Sequence, residues 1–288
     1  MTYPGGKAGA GVYQTIINLM PWHAVYIEPF LGGGAVMRLK RPSLVNIGMD
    51  LDDAAVKGFK LLSSPLLAGS AETVTSGDAR SPIAKTGGGR RIPSPVPVVS
   101  DPASPKLPVS ADLSKSGDGR SPSDAETSGR PCFEIWQRDG IDFLKSYSFT
   151  GRELVYCDPP YLLSTRSGGK LYKFEMTEAQ HRDLLDVIRR IPCAVMISGY
   201  WSELYARELA AWNAKTFQSM TRAGKPATEW LWFNFAPPTV LHDYQYLGAD
   251  FRERERIRRK KLRWIERLRQ MPTMERRALL SAIAEVVV

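Results

Sequence analysis

Long apolar runs are missing from this 288-residue chain, and histidine and cysteine are scarce, with three of each. Without about 20 apolar residues in a row, no membrane-spanning helix is expected. Cys132, Cys157 and Cys193 show no paired spacing. A disulfide framework is therefore excluded, and a reducing cytoplasm is the simplest setting. His23, His181 and His242 stand alone, so no metal site is expected. The opening Met1-Thr2-Tyr3-Pro4 lacks the basic and apolar regions of a signal peptide. Negative charge is also in short supply: 39 Lys and Arg face 30 Asp and Glu, leaving a net charge of +9. Such a surplus favours a polyanionic partner.

Aromatic residues vanish between Phe59 and Phe133, and 14 Ser, 9 Pro and 8 Gly crowd the 68 residues 63–130. A segment of this composition cannot bury enough apolar surface to offset its ordering entropy. A disordered insertion is expected there, dividing a catalytic domain into 1–62 and 131–247. The tail, 248–288, differs again. Phe251–Gln270 holds ten Lys or Arg against three Glu, the pattern of a basic helix. Ile257, Leu262, Ile265 and Leu268 form an apolar stripe suited to docking it. Pro272 then ends it before a second short helix.

The remaining residues alternate between strand and helix patterns. Apolar runs at 24–27, 44–49, 133–136, 154–157 and 194–198 read as buried strands, and 229–235 as a Trp/Phe-rich one. Residues 177–190 read as an amphipathic helix capped by Thr177. The fold class expected is α/β, a mostly parallel sheet with helices on both faces, plus the basic helical extension.

Three stretches carry the chemistry. Asp158-Pro159-Pro160-Tyr161 follows the run 154–157, at a strand end where ligands of open α/β sheets bind. Its prolines restrict the backbone, so a carboxylate and a carbonyl could be held to accept both N–H groups of a planar amine. Glu28-Pro29-Phe30-Leu31-Gly32-Gly33-Gly34 sits where a strand turns into a helix, with glycines that let a ligand approach the backbone. Position 37 is Met, which departs from a dinucleotide fingerprint. Tyr3-Pro4-Gly5-Gly6-Lys7 opens the chain.

In this order the three stretches resemble the Dam-type adenine-N6 DNA methyltransferase family, over roughly 1–60 and 131–247. The resemblance implies a Rossmann-like methyltransferase domain using S-adenosyl-L-methionine (AdoMet). It implies double-stranded DNA as partner and an adenine flipped from the duplex as substrate. It further implies that Asp158 and the Pro159 carbonyl polarise the adenine amino group while Pro160 shapes the turn and Tyr161 stacks on the base. No metal is required. The cofactor-binding set it implies is Tyr3, Lys7, Glu28, Phe30, Gly32, Gly34, Asp50, Asp139 and Asp158, with Lys7 near the methionine carboxylate. Asp50 either accepts the ribose hydroxyls or caps a helix. Asp139 either accepts the cofactor's adenine amino group or starts a helix. DNA contacts are expected from Arg166, Lys170 and Lys173 in the loop 164–173, and from Arg222 and Lys225 in the loop 221–228. Arg258, Arg259, Lys260 and Lys261 of the basic helix should meet backbone phosphates.

Three rivals remain. Cytosine-N4 methylation also targets an exocyclic amine, but Asp before Pro-Pro matches the adenine enzymes. Cytosine-C5 methylation needs a Cys nucleophile; Pro131-Cys132 and Pro192-Cys193 lack the polar loop that chemistry expects. A non-catalytic DNA-binding protein would not need three intact motifs. Neither the recognition sequence, nor pairing with a restriction nuclease, nor the oligomeric state is legible.

Overall fold

The computed structural model describes residues 6–63, 131–166, 169–221 and 224–286. The expected insertion, apart from Ser63, lies outside these residues. Seven strands form one sheet: β1 (Val25–Glu28), β2 (Val45–Asp50), β3 (Cys132–Gln137), β4 (Glu153–Cys157), β5 (Ala194–Gly199), β6 (Asn213–Met220) and β7 (Pro226–Phe233). Their order is β3-β2-β1-β4-β5-β7-β6. All pairings are parallel except those of β7, which runs antiparallel to both β5 and β6. This is the mostly parallel, Rossmann-like sheet expected.

The chain leaves β1 toward β2 on one side, while β4 lies against β1 on the other. That reversal opens a crevice at the carboxyl ends of β1 and β4, the usual ligand position of such sheets. Although 131–166 follows the insertion, β3 pairs with β2 in unbroken register from Val45–Cys132 to Asp50–Gln137.

Alternation along each strand builds two cores. Val25, Ile27, Val155, Cys157, Val195 and Ile197 face one side. There they meet α4 (Gly140–Ser146), α5 (Glu178–Arg190) and α6 (Glu203–Glu208). Tyr26, Leu154, Tyr156 and Met196 face the other side. They pack with α1 (Val12–Ile17), α2 (Ala35–Leu39) and α3 (Asp53–Leu62). Within α5, Leu184, Leu185 and Ile188 are fully buried; each contributes about 1.5–3 kcal/mol. Its start follows the sequence pattern, since Thr177 and Gln180 cap each other reciprocally.

Two expectations need correction. The last strand begins earlier than 229–235, at Pro226, and it pairs with β6, which the sequence patterns did not reveal. Only Phe217 of β6 is buried, so this edge strand shows little apolar alternation. The basic helix α7 (Phe251–Gln270) forms, capped by Asp250, but its stripe does not dock. Leu262 is 51% and Ile265 41% exposed, and neither α7 nor α8 (Thr273–Val286) buries a residue. Local pairs sustain α7 instead. Glu253 meets Arg256, Glu255 meets Arg258 and Arg259, and Glu266 meets Arg269, all one turn apart. No helix among the described residues is long and apolar enough to cross a membrane.

Candidate active site

A crevice of about 880 Å³, counting the solvent-filled mouth, opens at the carboxyl ends of β1 and β4. One wall is the turn after β1. Gly32 and Gly34 have φ of 50° and 57°, left-handed values that a side chain would strain. A Cβ on Gly34 would also fall on the Phe59 ring. The turn therefore stays close to the sheet, with Glu28, Phe30 and Gly32–Gly34 all lining the crevice.

Asp50, at the end of β2, holds this turn in place. One carboxylate oxygen accepts from the Gly32 N–H and the other from the Asp52 N–H, each at 2.8 Å. Burial pushes its carboxyl up despite these bonds. Helix capping, the alternative for Asp50, belongs to Asp52, which accepts from the Ala54 N–H at the start of α3. Asp139 does cap: its Oδ1 accepts from the Ile141 and Asp142 N–H groups at the start of α4. It nevertheless lines the crevice, together with apolar Leu51 and Ile141. Acceptors for a diol and an amine, with apolar side chains between them, fit an adenosine.

Across the crevice, Asp158 follows β4. Its Oδ1 accepts from Ser198 Oγ at 2.7 Å and lies 2.8 Å from Lys7 Nζ. Ser198, on β5, is held in turn by Tyr156 at 3.1 Å. Among the described residues, Oδ2 receives none of these bonds, so half of the carboxylate is left for a ligand. Burial pushes the Asp158 carboxyl up against the pull of Lys7. Burial also opposes the Lys7 charge, but Asp158 and Glu229 outweigh it and raise its pKa. Glu28, fully enclosed beside the same crevice, is pushed up to about 8 by burial, against the hydrogen bond from Tyr26.

Lys7 lines the crevice, and its charge is already engaged by the protein. Its ammonium lies between two protein carboxylates, 3.4 Å from Glu229. Tyr161 is also turned inward, only 7% exposed. Its hydroxyl donates to Glu229 at 2.6 Å, its ring meets Tyr200 edge-on, and Lys7 stands over its face. Pro160 lines the crevice as well, and Pro159 is buried beneath it. Sequence reasoning missed Ser198 and Glu229. A lone acidic residue in the Trp/Phe-rich run 229–233 was the available signal for the second.

Of the expected DNA-contacting residues, Arg166 is corrected. Its side chain is 5% exposed and forms a bidentate pair with Glu175, which also accepts from the Leu171 and Tyr172 N–H groups. It therefore organises the loop from within rather than projecting from it. Lys170, Lys173 and Lys225 are exposed, and Lys173 pairs with Asp52 at 3.0 Å. Tyr3 and Arg222 lie outside the described residues. On α7, Arg258 and Arg259 are engaged by Glu255, whereas Lys260 and Lys261 form no salt bridge among the described residues.

No protein-family model matches the sequence, and no curated protein matches it. Solved structures with a similar sheet include an rRNA methylase from Streptococcus thermophilus, 10% identical over 78% of this chain and 95% of its own, with a TM-score of 0.39. A precorrin 8w decarboxylase from Methanobacterium thermoautotrophicum is 9% identical over 81% of this chain and 94% of its own, at 0.40. A Streptococcus mutans protein solved in complex with SAH is 8% identical over 76% of this chain and 94% of its own, at 0.37. At such identities the likeness concerns the fold alone.

Proposed function

We propose that this chain is an AdoMet-dependent methyltransferase acting on the exocyclic amino group of adenine in double-stranded DNA. One observation carries the reading. The Asp158 carboxylate, with Oδ2 unengaged, faces the same crevice as the glycine turn after β1, Asp50 and Asp139. Asp50 would take the ribose hydroxyls, Asp139 Oδ2 the adenine amino group, and Leu51 and Ile141 the ring faces of the cofactor. When bound, AdoMet supplies an electrophilic methyl group on a sulfonium.

The chain's own residues then have a limited task. The adenine amino nitrogen is a poor nucleophile because its lone pair is shared with the ring. Asp158 Oδ2 and the Pro159 carbonyl accept its two N–H groups and favour a tetrahedral nitrogen, leaving the lone pair for attack. Methyl transfer to the amine, with the sulfonium leaving as a neutral thioether, would place positive charge on the nitrogen. The Asp158 carboxylate stabilises that charge, and the extra proton leaves to solvent. Orientation and preplaced charge account for this catalysis. The exposed Lys170, Lys173 and Lys225, with Lys260 and Lys261 of α7, would hold the phosphate backbone without reading bases.

Incubation of the full chain with methyl-labelled AdoMet and either unmethylated duplex DNA or RNA, followed by nucleoside analysis, tests the reading. The label is expected in N6-methyladenine. Label in N4-methylcytosine, in RNA only, or in no nucleic acid would overturn it.

A further inference from the structure

Glu229 has no counterpart in the three motifs and does not itself line the crevice, yet it touches Lys7, which does. Because β7 runs antiparallel to β5, its first half lies at the carboxyl end of the sheet. Trp230 pairs with Gly199, the last residue of β5, and Glu229 lies just beyond it. From there its Oε2 accepts from the Tyr161 hydroxyl at 2.6 Å and lies 3.4 Å from Lys7 Nζ. Glu229 and Lys7 are almost fully buried, and Asp158 is 2.8 Å from the same ammonium.

Two carboxylates therefore share one buried ammonium at the edge of the crevice. A single pair would neutralise itself, and a second buried carboxylate carries a desolvation cost that a purely structural site avoids. Resting on the methyltransferase reading, we propose that Glu229 is a positioning residue that sets the charge of the crevice. It shares Lys7 and the Tyr161 hydroxyl with Asp158 Oδ1, at 2.8 and 3.3 Å, so that neither engages Oδ2, and it leaves one surplus negative charge. That surplus favours a cationic sulfonium over the neutral thioether product. It also favours the positive charge arriving on the amine as the methyl–sulfur bond breaks.

The Glu229→Gln substitution removes the charge but retains an oxygen that accepts from Tyr161. The full chain and this variant are titrated calorimetrically with AdoMet and with S-adenosylhomocysteine, which differ in the sulfur charge and the methyl group. Turnover is measured at saturating AdoMet. In the variant, AdoMet affinity should fall about tenfold more than thioether affinity, as expected for removing one charge at short range in a poorly screened site. Turnover should fall with it. Equal losses for both ligands, or unchanged binding and turnover, would overturn the inference. Should the variant fail to fold by circular dichroism, the unaltered chain is titrated near pH 7 with an analogue bearing a primary ammonium in place of the sulfonium. Tighter binding than the thioether supports the inference, and equal or weaker binding overturns it. Failure of the unaltered chain to bind either cofactor form would instead defeat the methyltransferase reading.

Discussion

Replacing Lys7 by Met should destabilise the fold in a manner that depends on pH. The methionine keeps most of the apolar stem but removes the ammonium that lies 2.8 Å from Asp158 and 3.4 Å from Glu229. Removing one partner of a buried ion pair costs about 3–5 kcal/mol, because the other charge is left uncompensated. At roughly 2–4 °C per kcal/mol for a domain of this size, the melting temperature should fall by about 6–20 °C at pH 8. Burial already lifts the Asp158 carboxyl above its ordinary value against the pull of Lys7, and without Lys7 it rises further. An acid whose folded pKa is raised favours folding at low pH, and that advantage is lost as pH rises from its unfolded value through its folded one. The deficit of Lys7→Met relative to the unaltered protein should therefore shrink between pH 8 and pH 5. Lys7 itself does not alter this window, because its raised pKa places its own titration far into the alkaline range. Melting curves by circular dichroism at both pH values provide the assay. A deficit that is equal at both, or larger at pH 5, would refute the account of the buried charge cluster.

Other consequences follow from the same geometry. Asp158→Asn keeps the shape but loses the charge, and should lower turnover by about 10²–10³ while the melting temperature changes little; turnover within a few-fold of the unaltered chain would contradict the assigned role. Arg166→Ala should leave the salt dependence of DNA binding unchanged but lower stability by about 1–3 kcal/mol, since it leaves half-buried Glu175 without its charged donor; denaturant unfolding and binding titrations check both halves. Replacing Arg258, Arg259, Lys260 and Lys261 by Gln should weaken binding to all duplexes alike, flattening the log–log salt slope by about 0.9 for each phosphate that is no longer neutralised; an unchanged slope would argue against α7 binding the DNA backbone. Joining the chain across residues 66–128 with a short Gly/Ser linker should leave methyl transfer measurable, because β2 and β3 pair without using those residues.

How far the site could be read from sequence depended on whether its parts were local. Asp158-Pro159-Pro160-Tyr161 and the turn 28–34 declare themselves because strand, turn and functional group are contiguous. Asp50 is legible for the same reason, at the end of a buried run. Ser198 and Glu229 are not, because they reach Asp158 and Tyr161 only through strand pairing across 40 and 68 residues of chain. The antiparallel return of β7 could not be foreseen while β6 was hidden by its exposed, polar composition. Arg166 was misplaced because sequence shows a basic residue in a loop but not the Glu175 that draws it inward. The stripe on α7 was read as a docking face, yet local Glu–Arg pairs hold that helix without one.

The central claim, that Asp158 presents an amine of adenine for methylation, is tested most directly in a host lacking DNA methylation. The full chain and its Asp158→Asn variant are each expressed there, and the genomic DNA is digested to nucleosides and analysed by mass spectrometry. N6-methyladenine should be present with the unaltered chain and reduced at least tenfold with the variant at matched protein levels. Its absence with the unaltered chain, or equal amounts with both, would contradict the account.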